Sequence, residues 1–155
     1  MNRIRLRTRA AVRRTTRGFT LIELMVVIVI LSILATLVIP RIFGRVEDAK
    51  VTAAQVQMNS FVTALKLFYL DNNFYPSTEQ GLLALVEKPT VGEIPMKWRE
   101  GGYLEKKEVP KDPWGRDYLY LSPGRNGEAF QIICLGRNGI EGGEGPDADI
   151  VVSQQ

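Results

Sequence analysis

Between Leu135 and Asp149 the chain carries Asn138, Glu141, Glu144, Asp147 and Asp149 among five glycines, Gly136, Gly139, Gly142, Gly143 and Gly145. Glycine lets backbone carbonyls turn inward and carboxylates bring charge, which is what a hard cation such as calcium takes from about six to eight oxygens. The spacing is not that of an EF-hand, and from the residues alone a solvated acidic loop is the plainer reading, with a cation site as the alternative. A second ionisable group stands out near the other end, where Glu23 lies at the mouth of the apolar run from Leu24 to Ile39. A charge at the centre of a bilayer costs about 2.5–3.5 kcal/mol on insertion scales, so such a residue is expected to face a partner rather than lipid. Glu23 is therefore a functional candidate.

Other chemistries are excluded by what the chain lacks. It has no histidine and one cysteine, Cys134. His-dependent zinc clusters and Ser-His-Asp triads cannot be built, and no intrachain disulfide can form. Cys134 sits among Phe130, Ile132, Ile133 and Leu135, which reads as a small buried hydrophobe in a strand rather than an activated thiol. The net charge of +3 points to no nucleic acid either, because seven arginines lie in residues 1–18 (Arg3, Arg5, Arg7, Arg9, Arg13, Arg14, Arg17) with no acid beside them. Without them 13 basic side chains face 17 acidic ones, a net of −4.

The element that must hold Glu23 is a helix. Leu24 to Ile39 is interrupted only by Ser32 and Thr36, and with Phe19, Leu21 and Ile22 it approaches the roughly 20 residues that span a bilayer. The basic head should stay on the cytoplasmic side and send the rest of the chain to the far side. An ordinary signal peptide places its small-residue cleavage site after the apolar run, whereas here Gly18 precedes it, so a cut there would leave the apolar segment on the mature chain. Pro40 lacks a backbone donor and predicts a kink or local melting near Leu37 to Pro40. Beyond it, Val51, Ala54, Met58, Phe61, Leu65 and Phe68 recur at helical spacing, with Lys50, Gln55, Asn59 and Lys66 opposite, the pattern of an amphipathic helix laid on a core.

The elements that must hold the glycine-rich loop are shorter. Ser77 and Gln80 make a capping-box pattern that predicts a short helix from about Thr78 to before Pro89, with Leu82, Leu83, Leu85 and Val86 buried. The stretch to Gly102 reads as turns, and Asp112-Pro113-Trp114-Gly115 as another, with Trp114 a packing anchor. Strands are expected over Tyr118 to Leu121, Phe130 to Leu135 and Asp149 to Val152, the first two joined through Ser122 to Gly127. The fold class is α+β: a long N-terminal helix, hydrophobic in its first half and amphipathic in its second, packed on a small antiparallel sheet.

The segment Gly18-Phe19-Thr20-Leu21-Ile22-Glu23 behind a basic head resembles the N-terminus of type IV pilins and pseudopilins. Tyr75-Pro76-Ser77-Thr78-Glu79-Gln80-Gly81-Leu82, the run from Asp112 to Gly124, and Leu135 to Ile150 resemble the major pseudopilins of type II secretion systems. The resemblance covers about Arg17 to Ile150 and implies a pilin-like fold. It implies three parts: a leader (1–18) removed by a prepilin peptidase, a transmembrane assembly half-helix (19–40) and a periplasmic globular domain (41–155). It implies cleavage between Gly18 and Phe19 on the cytoplasmic face, methylation of the new Phe19 amine, and assembly through Phe19, Glu23 and Pro40, with Glu23 answering the amine of a neighbouring subunit. A buried pair is tolerable where a lone charge is not. Adhesive and twitching pilins commonly close their C-terminal region with a disulfide, which one cysteine cannot supply.

The resemblance also implies calcium in the C-terminal loop, held by the carbonyls of Leu135 and Ile140 and the side chains of Asn138, Asp147 and Asp149, with Glu144 in reserve. The family pattern has aspartate where this chain has Asn138, which keeps an oxygen but drops a charge. The implied function is that of a non-catalytic major subunit of a periplasmic filament, the pseudopilus, that drives folded proteins across the outer membrane. Its expected partners are further copies of itself, minor pseudopilins, the prepilin peptidase and the inner-membrane assembly platform, with the chain crossing the bacterial inner membrane once. Within the class a type IV pilin or minor pseudopilin is the alternative. A membrane-tethered, calcium-dependent hydrolase using the carboxylates near Asp147 and Asp149 is a different one, against which stands the small burial that a glycine-rich surface loop offers for tuning acid and base. A signal-anchored binding module is a third.

Overall fold

The computed structural model describes residues 18–155, and within the long helix the side chains of residues 37–43 are also outside the description. Residues 1–17 of the expected leader (1–18) and the side chain of Pro40 therefore lie outside the described residues. One helix, α1, runs over Leu21–Asn72, followed by a 3-10 turn at Leu82–Leu85, strands β1 (Leu119–Leu121) and β2 (Phe130–Cys134), a second 3-10 turn at Gly145–Asp147, and strand β3 (Ile150–Gln154). Helix α1 continues through Pro40 rather than melting there. The chain divides into two compact units at that residue, 1–40 and 41–155.

In the first unit α1 begins as a capped helix. Thr20 accepts the Glu23 backbone N–H on its Oγ1 at 3.2 Å, and Glu23 lies in the first turn, where the positive end of the helix dipole favours a carboxylate. Every large apolar side chain from Leu21 to Leu34 is exposed, with no polar face opposite. A helix apolar on all sides is stable only where lipid or other helices surround it. Among the described residues no helix is long and apolar enough to cross a membrane; the apolar run with described side chains stops at Thr36, short of the roughly 20 residues a span takes.

The second unit has a core built as the helical spacing predicts. Ala54, Met58, Phe61, Leu65 and Phe68 are fully buried, Val51 is half-buried, and Ala64 joins the stripe, while Gln55, Asn59 and Lys66 face water. Against this stripe packs a three-stranded antiparallel sheet in the order β1-β2-β3, with Tyr120 opposite Ile132 and Ile132 opposite Val152. Phe130, Ile132 and Cys134 of β2 share the core with Tyr118 and Tyr120, and Phe61 meets Tyr118 edge-to-face at 5.1 Å. The third strand is offset from the expected Asp149–Val152 and reaches Gln154, because pairing with Phe130 continues to that residue.

The expected short helix after Thr78 is not formed. The capping box is present in both directions, Ser77 N–H to Gln80 Oε1 at 3.0 Å and Gln80 N–H to Ser77 Oγ at 3.3 Å. Gly81, however, takes φ +60° and ends the turn, leaving four residues of 3-10 helix in which Leu82, Ala84 and Leu85 are buried and Leu83 is exposed. Gln80, itself buried, uses its amide to hold the excursion beyond Pro89, donating to the carbonyls of Val91 and Glu93.

Candidate functional site

Two places carry the side chains that the sequence singles out. The first is the start of α1, where Gly18, Phe19, Thr20 and Glu23 line one shallow depression. The expected cleavage junction and the expected register residue are thus brought together by one turn of helix. Phe19 is 85% exposed, which leaves the Gly18–Phe19 bond on an open segment ahead of the first helical turn. The pattern Thr20-x-x-Glu23 is itself a capping signature that sequence reading passed over, and its Thr20 half sets where the helix starts.

The second is the glycine-rich loop between β2 and β3. Its entry is fastened from below by Arg116, which donates to the carbonyls of Gly136 and Arg137. A Cβ on Gly139 would lie 2.7 Å from the Arg116 guanidinium, so the loop and this side chain are in close contact. Arg116 belongs to the turn that Asp112 closes: one Asp112 oxygen accepts the backbone N–H groups of Trp114 at 2.9 Å and Arg116 at 2.8 Å. The other accepts the Cys134 thiol at 3.6 Å. Burial pushes the pKa of that thiol up, which is the opposite of what a nucleophile requires. Cys134 is a core residue, as its neighbours indicate.

Within the loop the expected ligand residues come together unevenly. Leu135 accepts the Gly139 N–H on its carbonyl at 3.1 Å, and Asn138 Oδ1 accepts the Ile140 N–H at 3.0 Å. Asp149 accepts the Gly142 N–H on Oδ2 at 2.9 Å, while its Oδ1 is buried with no partner. Asp147 is committed elsewhere: Arg137 Nε and Nη2 each donate to one of its oxygens at 2.8 Å, holding the carboxyl below its usual pKa. Ile140 points its side chain to solvent, Glu144 is exposed, and Glu141 is paired with Arg125. Among the described residues no three acidic, cysteine or histidine side chains converge on one point.

The donor chemistry nevertheless suits a hard cation. The orphaned Asp149 Oδ1 is a buried anionic oxygen without a hydrogen bond, and Gly143, at φ +113°, packs where a Cβ would stand 2.5 Å from the Asp147 carbonyl oxygen. Oxygen donors without nitrogen or sulfur are the set calcium takes. Arg137 and Arg116 were missed as participants because their partners are set by the loop's path, not by any local spacing.

Comparison with known proteins decides the family. The family described as "Type II secretion system (T2SS), protein G" matches residues 41–153, and the prokaryotic N-terminal methylation motif matches residues 13–39. The chain belongs to the type II secretion system protein G family. It is 52% identical to the type II secretion system core protein G of Pseudomonas aeruginosa, over 89% of this chain and 95% of the relative. The Vibrio cholerae core protein G is also 52% identical, over 88% of this chain and 91% of that one. Among solved structures, the major pseudopilin from the type 2 secretion system of enterohaemorrhagic Escherichia coli superposes with a TM-score of 0.60 at 38% identity, over 70% of this chain and 90% of that one. The fold is pilin-like, and the family is structural rather than enzymatic.

Proposed function

We propose that this chain is the major structural subunit of a type II secretion pseudopilus, a periplasmic helical filament that drives folded proteins out through the outer membrane. The observation that carries it is the first half of α1: a capped, all-apolar helix with one carboxylate in its first turn, on a chain whose globular half is of the protein G family. Such a helix is not stable alone in water, but it is stable in lipid before assembly and among its copies afterwards.

In this reading a prepilin peptidase cuts between Gly18 and Phe19 and the Phe19 amine is methylated. Glu23 then answers that amine on a neighbouring subunit, and Pro40 adjusts the helix where its two halves meet. The chain starts as a single-pass inner-membrane protein with residues 41–155 in the periplasm. Its partners are its own copies, minor pseudopilins and the inner-membrane assembly platform. The Leu135 and Ile140 carbonyls with Asn138, Asp147 and Asp149 would hold a calcium ion, which would supply charge to close the loop rather than any catalytic step.

The deciding experiment is the mass of the mature chain from membranes. A start at N-methylated Phe19 supports the reading; an uncut N-terminus, or a cut after the apolar run, overturns it.

A further inference from the structure

Arg137 is placed unlike an ordinary surface arginine. Its backbone N–H donates to the Pro146 carbonyl at 2.9 Å and its carbonyl accepts from Arg116, so its Cα is pinned on both sides at the mouth of the loop. From there the guanidinium presents two parallel N–H groups to both oxygens of Asp147, each at 2.8 Å, the fork-to-carboxylate geometry that arginine forms best. The loop thus already holds a cation, and it comes from the chain itself. Next door, Asp149 keeps one buried oxygen unanswered.

We propose that Arg137 is a built-in competitor for calcium at Asp147, so that the loop exchanges an internal guanidinium for the external ion. The proposal rests on the calcium reading of the loop. The two states oppose each other, because the fork occupies one lone pair on each Asp147 oxygen and a divalent ion on the remaining ones would sit within a few ångströms of a guanidinium of like charge, which has no lone pair to offer it. The loop is tied to the start of the amphipathic half of α1 through Arg116, which holds the Arg137 carbonyl, and the Asp112 turn, whose Trp114 donates to Glu47. In the calcium-free chain the pair keeps the loop closed; in the loaded chain it is released.

The test compares calcium isotherms of the full chain and its R137A and R137Q variants in detergent micelles, by calorimetry at low ionic strength. Each isotherm is paired with thermal unfolding in chelator and in calcium. Removing one positive charge a few ångströms from a divalent ion should tighten calcium binding on the order of 10-fold. Both variants should also melt below the native chain in chelator and recover in calcium, an inversion that a merely structural role for Arg137 would not produce. R137Q keeps most of the side-chain stem and carries the comparison should R137A fold poorly. Equal or weaker calcium binding by the variants, with binding by the native chain intact, overturns the competition alone. No calcium binding by any of the three overturns the competition and the calcium reading together.

Discussion

Trp114 donates its indole N–H to Glu47 Oε2 at 2.9 Å, across 67 residues of sequence, and so fastens the Asp112 turn to the amphipathic half of α1. Lys50 approaches the same pair, reaching Glu47 Oε1 at 3.2 Å and lying 6.0 Å from the indole centroid. The contact continues outward, because Asp112 orients the backbone of Arg116 and Arg116 in turn holds the carbonyls of Gly136 and Arg137. The C-terminal loop is therefore anchored on a turn that is itself anchored on the helix. The two links at its ends, Trp114 to Glu47 and Arg116 to Gly136 and Arg137, join residues far apart in sequence.

The Trp114 bond should be visible in the acid titration. It is the largest of the influences that lower the Glu47 pKa, with Lys50 and Arg137 adding to it. A carboxyl whose folded pKa is depressed contributes stability above its unfolded value, about 4.3, and loses that contribution as pH falls through the folded value. W114F removes the donor and keeps an aromatic ring. The Glu47 pKa, followed by carbon-detected NMR, should then rise toward the ordinary carboxylate value, and the loss of stability below about pH 4.3 should become shallower. An unchanged Glu47 titration in W114F would show that the indole bond does not set it.

Phe61 is the residue on which helix and sheet meet, with no exposed surface and an edge-to-face contact to Tyr118. Truncation to alanine should cost about 3–5 kcal/mol, a large part of the stability of a domain this size. The exposed Val56 on the same helix should tolerate serine within about 0.5 kcal/mol. Chemical denaturation of the two variants side by side measures the contrast, and similar midpoints would mean the stripe is not the core.

That stripe could be read directly from the chain, because burial on one helical face imposes a repeat of three and four that side-chain size alone reveals. The strands could be read from their apolar, β-prone runs between turn residues, to within the few residues by which β3 extends past Val152. The helix after Ser77 could not: its capping box is real, yet the positive φ of Gly81 stops the helix, and the sign a glycine's φ takes is decided by tertiary packing around the turn. The loop shows the same division. Its oxygen-bearing residues could be named in advance, but the Arg137–Asp147 pairing and the Arg116 clamp depend on where the loop returns to itself, which no spacing rule records.

Gln80 links the interrupted helix to the excursion after Pro89. Its amide donates to Val91 at 2.6 Å and Glu93 at 2.9 Å, and its Oε1 accepts from Ser77. Q80A removes all three bonds and leaves carbonyls short of partners, a loss of about 1–3 kcal/mol. The effect should be local, with amide hydrogen exchange rising across residues 89–102 and little changed in β2. Uniform acceleration across the sheet would instead make Gln80 part of the global core.

Glu23 separates processing from assembly. Its backbone N–H caps on Thr20 whatever its side chain, so E23A should start its helix at the same place and be cut after Gly18 as the native chain is. What the variant loses is the carboxylate that would answer the Phe19 amine of the next subunit, leaving that amine unpaired among apolar helices, a costly state. Mature-chain mass should be that of the native protein less the side-chain difference, while sheared or overproduced filaments should be absent. Filaments at native abundance from E23A would remove the register role.

The Asp149 carboxylate gives the calcium reading its own test, independent of Arg137. One of its oxygens is held by the Gly142 N–H and the other is buried without a partner, so a cation that reaches it gains an oxygen that costs no existing hydrogen bond. A ligand that binds only the folded state stabilises it by RT ln(1 + [L]/Kd), about 2.7 kcal/mol when calcium is at 100 times its Kd. Calcium should therefore raise the melting temperature of the full chain in detergent, chelator should reverse the rise, and magnesium at the same concentration should do less, because it demands a tighter octahedral shell. D149A should abolish the rise while keeping a folded spectrum in chelator. The same thermal shift in D149A as in the native chain would place the ion elsewhere.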